Sequence, residues 1–243
     1  MFAMLKQKLQ ASAPAKLVKW RTGVGFRSAS GVALRGITKR LADKLHSRGS
    51  LPTQSDGPSG YAGGKVWKGN GLRRGSAVDA QVARIINTQR QCRMLSLTKH
   101  TFHALAHHKL VPVLSQRVVM DESRRLGTAV DILCTDQRDK TVLVVVELKT
   151  GYPGDRAMAV QGRLKMQPPL QKAHDCALHR HLAQLAVTRH MLVSETKTLK
   201  HLKKLGICTV KGALLYITPK ESELHVLDRW WETKAQALVK AIS

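Results

Sequence analysis

Apolar residues recur at two spacings along the chain, and each spacing predicts a different kind of secondary structure. Helical spacing predicts helices over residues 76–94, 99–109, 170–192, 196–205 and 230–241. Apolar runs typical of strands cover residues 111–120, 128–134, 141–148, 207–210 and 214–218. The last two runs flank Lys211-Gly212, which predicts a closing hairpin. The order predicts an α/β fold, αβββαβ at its core, with a central mixed sheet flanked by helices.

The part of the chain before residue 72 follows another pattern. Residues 1–46 form a basic N-terminal extension, and its first 42 residues contain no acidic side chain. Such a segment is typical of a mitochondrial transit peptide, or of a basic arm that binds nucleic acid or directs nuclear import. Residues 47–71 are rich in Gly, Ser and Pro, which predicts a flexible linker. We therefore expect the folded domain to cover residues 72–243 of an intracellular protein, mitochondrial or nuclear.

Charge narrows the set of expected partners. Lys and Arg number 41 against 16 Asp and Glu, so the formal net charge is +25. A surface of this sign attracts polyanions, of which nucleic acid is the most common. Ribosomal and membrane-surface proteins are basic too, so charge alone leaves these alternatives open. No apolar run approaches the roughly 20 residues that a membrane span requires, so no membrane association is expected.

The cysteine pattern indicates buried, reduced thiols. Four cysteines are scattered along the chain and no two form a C-x-x-C pair. Their spacing argues against a structural zinc site, a disulfide framework and an iron–sulfur cluster. No iron–sulfur cluster is expected.

Charged residues appear where an apolar strand ends. The run Val142–Val146 is followed by Glu147-Leu148-Lys149, and Glu147 and Lys149 share one face of the strand because successive side chains alternate. Asp131 lies in the preceding strand, so a hairpin would bring it near Glu147, although the sequence does not fix the register. Charges at the edge of an apolar sheet are costly unless they are paired or bound. One interpretation is a plain salt bridge between Glu147 and Lys149.

The other interpretation is chemical. Two converging carboxylates offer the hard oxygen ligands that Mg²⁺ or Mn²⁺ prefers. A cation bound there would lower the pKa of its water ligand and neutralise charge on a phosphodiester. Lys149 would then position the attacking water or stabilise developing negative charge.

The segment Gly127–Asp131, followed by Glu147-Leu148-Lys149 at the end of an aliphatic run, resembles the core of the PD-(D/E)xK nuclease superfamily. The resemblance is to the branch of the RecB nuclease domain, lambda exonuclease and the mitochondrial genome maintenance exonuclease. It implies a restriction-endonuclease-like core and a Mg²⁺-dependent deoxyribonuclease, which would act as an exonuclease in DNA replication, recombination or repair. By the same resemblance, Asp131, Glu147 and the Leu148 carbonyl are metal ligands and Lys149 is catalytic.

Two flanking segments resemble further elements of that branch. Arg74–Asp79 resembles the element of the first core helix whose polar residue reaches the metal, which makes Asp79 a candidate ligand. The alternative for Asp79 is an ordinary first-turn aspartate, favoured by the helix dipole. Gln184–Thr188 resembles the element whose glutamine binds the attacking water or DNA, but Thr188 stands where the family prefers tyrosine. The alternative for Gln184 is a solvated helix residue.

DNA contacts are expected from the basic residues that follow the candidate site. The candidates are Arg163, Lys165, Lys172, Arg180 and Arg189. A solvated basic face is the alternative for each of them. Two other functions stay open at this stage: a non-catalytic nucleic-acid binder on a nuclease scaffold, and a basic structural protein of a ribosome or virion.

Overall fold

A computed structural model describes residues 2–20, 23–46, 71–90, 92–150 and 164–243. The described helices are α1 (Phe2–Ala11), α2 (Ile37–Leu45), α3 (Gly71–Thr88), α4 (Ser96–His107), α5 (Ala177–Ser194), α6 (Thr196–Lys204) and α7 (Arg229–Ile242). The described strands are β1 (Ala15–Trp20), β2 (Gly23–Ser28), β3 (Ala33–Gly36), β4 (Leu110–Asp121), β5 (Leu126–Asp136), β6 (Val142–Thr150), β7 (Thr209–Ile217) and β8 (Ser222–Val226). Among these helices, none has both the length and the apolar character needed to cross a membrane.

The strands form one mixed sheet. Its order is β1-β2-β3-β5-β6-β7-β8, with β4 paired along β5. The pairs β3–β5 and β6–β7 are parallel and the others are antiparallel. The predicted α/β architecture with a mixed central sheet flanked by helices is confirmed.

Helices cover both faces of the sheet. Leu143 and Val145 of β6 pack on the side of α5 and α7, whereas Val144 and Val146 pack on the side of α3 and α4. The aliphatic run of β6 is therefore buried on both faces, as expected for a central strand with helices above and below. It follows from this alternation that Glu147 and Lys149 point toward α5.

The hairpin predicted at Lys211-Gly212 is wrong, because β7 runs through this point without a break. The turn lies further along, between β7 and β8. Gly212 serves close packing instead: a Cβ there would lie 3.1 Å from the Leu227 side chain and 3.3 Å from Leu185 Cγ. A glycine in a strand often marks such a close approach.

Helices α1 and α2, which the sequence places outside the domain, pack into the same core. Leu5 and Leu9 of α1 are each 1% exposed, and Ile37 and Leu45 of α2 are fully buried. The basic, acid-free composition does not reveal this burial, because the side chains that pack inside recur only every fourth residue. The expected linker lies outside the described residues, except for Gly71, which begins α3.

Candidate active site

Asp131 lies on β5 between the segment that pairs with β3 and the segment that pairs with β6. One edge of β5 pairs with β3 at Leu126 and Gly127, and with β6 only from Ile132 onward. Asp131 occupies the notch between these two partners. Its Oδ2 accepts a hydrogen bond of 2.9 Å from the Leu148 N–H across that notch. Continuing the register of Ile132 and Val146 by one residue places Asp131 opposite Glu147.

The backbone of β4 supports this position from the other edge of β5. Gln116 has a φ of 57°, in the left-handed region, and interrupts the ladder between Ser115 and Arg117. Its side chain donates to the Asp131 carboxylate, while the Ser115 hydroxyl donates to the Asp131 carbonyl. A left-handed glutamine in a strand is strained, and such positions concentrate at functional sites.

Glu147 is the most enclosed carboxylate of the site. It is 2% exposed, and its Oε1 accepts two hydrogen bonds of 2.6 Å, one from Lys149 Nζ and one from Gln184 Nε2. Strand alternation brings Lys149 to the same face, and α5 brings Gln184 from above. Thr188 stays away from the site, because its hydroxyl donates to the Gln184 carbonyl within α5.

The ionisable side chains of the site include more carboxylates than cations. The pKa of Glu147 is raised to about 7, because burial and then the charge of Asp131 raise it more than Lys149 lowers it. Burial likewise raises the pKa of Asp131 above its ordinary value, against the effect of Lys149. For Lys149, burial lowers the pKa, but the charges of Glu147 and Asp131 outweigh it and the pKa is raised. Lys149 therefore stays protonated, and one cation faces several carboxylates.

The Asp79 carboxylate of α3 interacts electrostatically with Asp131 and Lys149. The pKa of Asp79 is raised to about 7, because burial and then the charge of Asp131 raise it more than Lys149 lowers it. One turn earlier, α3 approaches the end of β6 closely, since a Cβ on Gly75 would lie 3.2 Å from the Thr150 hydroxyl. Gly75 therefore lets α3 approach β6, the strand that carries Glu147 and Lys149.

Two residues near Lys149 were not anticipated from the sequence. Tyr216 lies opposite Lys149 in β7, is 1% exposed, and its hydroxyl is 2.9 Å from His181 Nδ1. Burial, and after it the charge of Lys149, lowers the pKa of His181 well below its ordinary value. His181 precedes Gln184 by three residues, so helical spacing was the available signal.

The expected DNA contacts have different surroundings. Lys172 is exposed, and Lys165 is exposed beside His174, 3.2 Å from Nε2. Arg180 pairs with the buried Asp175 at 2.6 Å, and Arg189 donates to the Val210 carbonyl and pairs with Glu232 at 3.2 Å. These two arginines thus connect elements within the chain. Arg163 lies outside the described residues.

The oxygen donors at the notch suit a hard cation. In the described part of the chain, no three His, Cys, Asp or Glu side chains are already arranged to hold a metal ion. Asp131 and Glu147 supply two carboxylates, and a backbone carbonyl can supply a third oxygen. In a strand the N–H and C=O of one residue point to the same neighbour, so the Leu148 carbonyl lies on the Asp131 side of β6. The donor set therefore fits Mg²⁺ or Mn²⁺.

No protein-family model matches this chain, and no curated protein matches its sequence.

Proposed function

We propose that this protein is a metal-dependent deoxyribonuclease of the PD-(D/E)xK type, built on a restriction-endonuclease-like core. The observation that carries the proposal is the grouping of Asp131, Glu147 and Lys149 where the sheet divides. An exonuclease role in DNA replication, recombination or repair is the corresponding biological function.

Asp131, Glu147 and the Leu148 carbonyl would hold Mg²⁺, or Mn²⁺ in its place, with Asp79 as a further candidate ligand. A cation there supplies an activated water and neutralises charge on the scissile phosphodiester. The raised pKa values of Glu147 and Asp79 support this assignment, because burial and the nearby charge of Asp131 disfavour both carboxylates, and a bound cation would offset these effects. A simple salt bridge between Glu147 and Lys149 would leave the other carboxylates unexplained.

The remaining site residues orient groups or stabilise charge. Protonated Lys149 offers its ammonium to the phosphate as negative charge develops. Gln184 holds the Glu147 carboxylate in place by its 2.6 Å hydrogen bond. The Leu148 N–H fixes the Asp131 carboxylate in the same way. The net charge of +25 supports a nucleic-acid substrate, since a basic protein attracts polyanions.

The test is cleavage of end-labelled linear DNA and closed circular DNA in Mg²⁺, with a chelator control. We expect the wild type to degrade linear DNA, the chelator to stop it, and Glu147→Ala to lower the rate by at least about 100-fold. Glu221→Ala, which changes an exposed carboxylate elsewhere, is the matched control. Survival of the circle marks an exonuclease. Tight DNA binding with no cleavage in any divalent metal would overturn the proposal and favour the non-catalytic binder.

A further inference from the structure

Helix α6 carries a row of exposed lysines that the candidate site does not use. We call Lys197, Lys200, Lys203 and Lys204 the lysine face of α6; all four are exposed. The other side of the helix is anchored, because Thr198 is fully buried and Leu202 is 1% exposed. The helix therefore presents only its cationic side to solvent.

A buried ion pair fixes α6 to the strand that supports the site. Arg117 of β4 pairs with Glu195, the N-cap residue of α6, at 2.7 Å, and also donates to the Thr198 hydroxyl at 2.8 Å. Arg117 directly follows Gln116, whose side chain donates to Asp131. The start of α6 is thus rigidly connected to the β4 segment beside the site.

The lysine face is not neutralised by the described chain. Among the described residues, none accepts a hydrogen bond from, or forms an ion pair with, the ammonium groups of these four lysines. Like charges three and four residues apart on a helix repel each other. Lys197 also lies in the first helical turn, where the helix dipole disfavours a cation. Lys203 and Lys204 lie in the last turn, where the helix dipole favours a cation, so helix stability explains these two but not Lys197 or Lys200. A polyanionic ligand accounts for all four.

We propose that the lysine face of α6 is a binding surface for the phosphate backbone of the nucleic acid that enters the candidate site. This inference rests on the proposed function and adds a contact surface to it. A membrane surface fits less well, because a membrane-binding helix buries an apolar face in lipid and that face of α6 is already packed inside the protein. The expected residues Arg180 and Arg189, in contrast, are held by Asp175 and Glu232.

The test measures binding of a labelled DNA duplex in EDTA over a range of salt concentrations, so that catalysis is not required. The variant K197Q/K200Q/K203Q/K204Q removes the lysine face. The matched control K140Q/K211Q/K220Q/K240Q removes the same charge from exposed lysines on other elements. Thermal unfolding of both variants checks that they remain folded.

We expect the slope of log K against log salt to become shallower by about 3.6 for the α6 variant, since each of the four lost phosphate contacts removes about 0.9. The control should keep a slope within about 1 of the wild type. Equal slopes for the two variants would overturn the inference, as would binding of the α6 face to phosphatidylserine vesicles without binding to DNA. The lysine-face variant and the Glu147→Ala variant fail in different assays, so loss of one proposal is distinguishable from loss of the other.

Discussion

A tyrosine and a histidine on neighbouring elements lie near Lys149. Tyr216 lies opposite it in the parallel pair β6–β7, and His181 of α5 contacts the Tyr216 hydroxyl. The ring of Tyr216 also packs edge-on against His225 of β8, which limits its movement. We therefore expect Tyr216 and His181 to act as positioning residues for Lys149 in the proposed reaction.

Tyr216→Phe removes one hydroxyl and keeps the ring. We expect kcat for DNA cleavage to fall roughly 10-fold with KM nearly unchanged, as for loss of an outer hydrogen-bond partner of a site. Steady-state kinetics measure kcat and KM, and a separate DNA-binding measurement checks that the affinity is unchanged. A fall in DNA affinity with unchanged kcat would contradict a positioning role, and so would normal kinetics.

The sequence identifies some site residues better than others, for physical reasons. Strand alternation alone places Glu147 and Lys149 on one face, and they meet at 2.6 Å. Gln116 carries no such local signal, and the helical spacing of His181 from Gln184 does not show which strand residue His181 faces. The contribution of Gln116 depends on a left-handed backbone within a strand, and that of His181 depends on how α5 crosses the sheet. The catalytic and metal-binding roles of all these residues stay predictions.

At the scale of elements, α1 is part of the fold although its composition resembles a targeting segment. Leu9 is 1% exposed in the main core, and its carbonyl accepts a 3.1 Å hydrogen bond from Arg117 Nε. The Ser12 hydroxyl accepts from the same guanidinium at 3.4 Å. Removing α1 would leave the buried Arg117 with fewer partners, which is costly for a charge.

Leu9→Ala should lower the free energy of unfolding by about 2–4 kcal/mol, because it removes a large buried side chain and leaves a cavity. Lys8→Ala, on the exposed side of the same helix, should change it by less than about 0.5 kcal/mol. Denaturant unfolding of the two variants measures both values. Equal, small effects would indicate that α1 is dispensable, as a transit peptide is.

The sequence anticipates the elements whose pattern is local and misses those that depend on distant partners. The runs in β5 and β6 identify the central strands, because burial on both faces leaves a continuous aliphatic signal. Gly212 was interpreted as a turn, since a glycine needed for contact with Leu185 and Leu227 looks the same in sequence as one needed for a turn. Only the packing distinguishes them.

At the scale of the whole molecule, charge is distributed unevenly. The chain carries a net charge of +25, yet Asp79, Asp131 and Glu147 interact electrostatically around one strand end. A concentrated negative site within a positive molecule suits a small cation held next to a bound polyanion. The division of the sheet between β3 and β6 creates the notch in which Asp131 meets the end of β6.

Calorimetric titration with Mn²⁺ tests this account most directly, because it does not depend on choosing the right nucleic acid. Carboxylate ligands must be deprotonated, and the pKa of Glu147 is about 7. We therefore expect binding that is about tenfold tighter at pH 8 than at pH 6. Glu147→Gln should weaken it by at least about tenfold, while Glu221→Gln should not. No binding by the wild type at millimolar Mn²⁺, or equal binding by Glu147→Gln, would contradict the account.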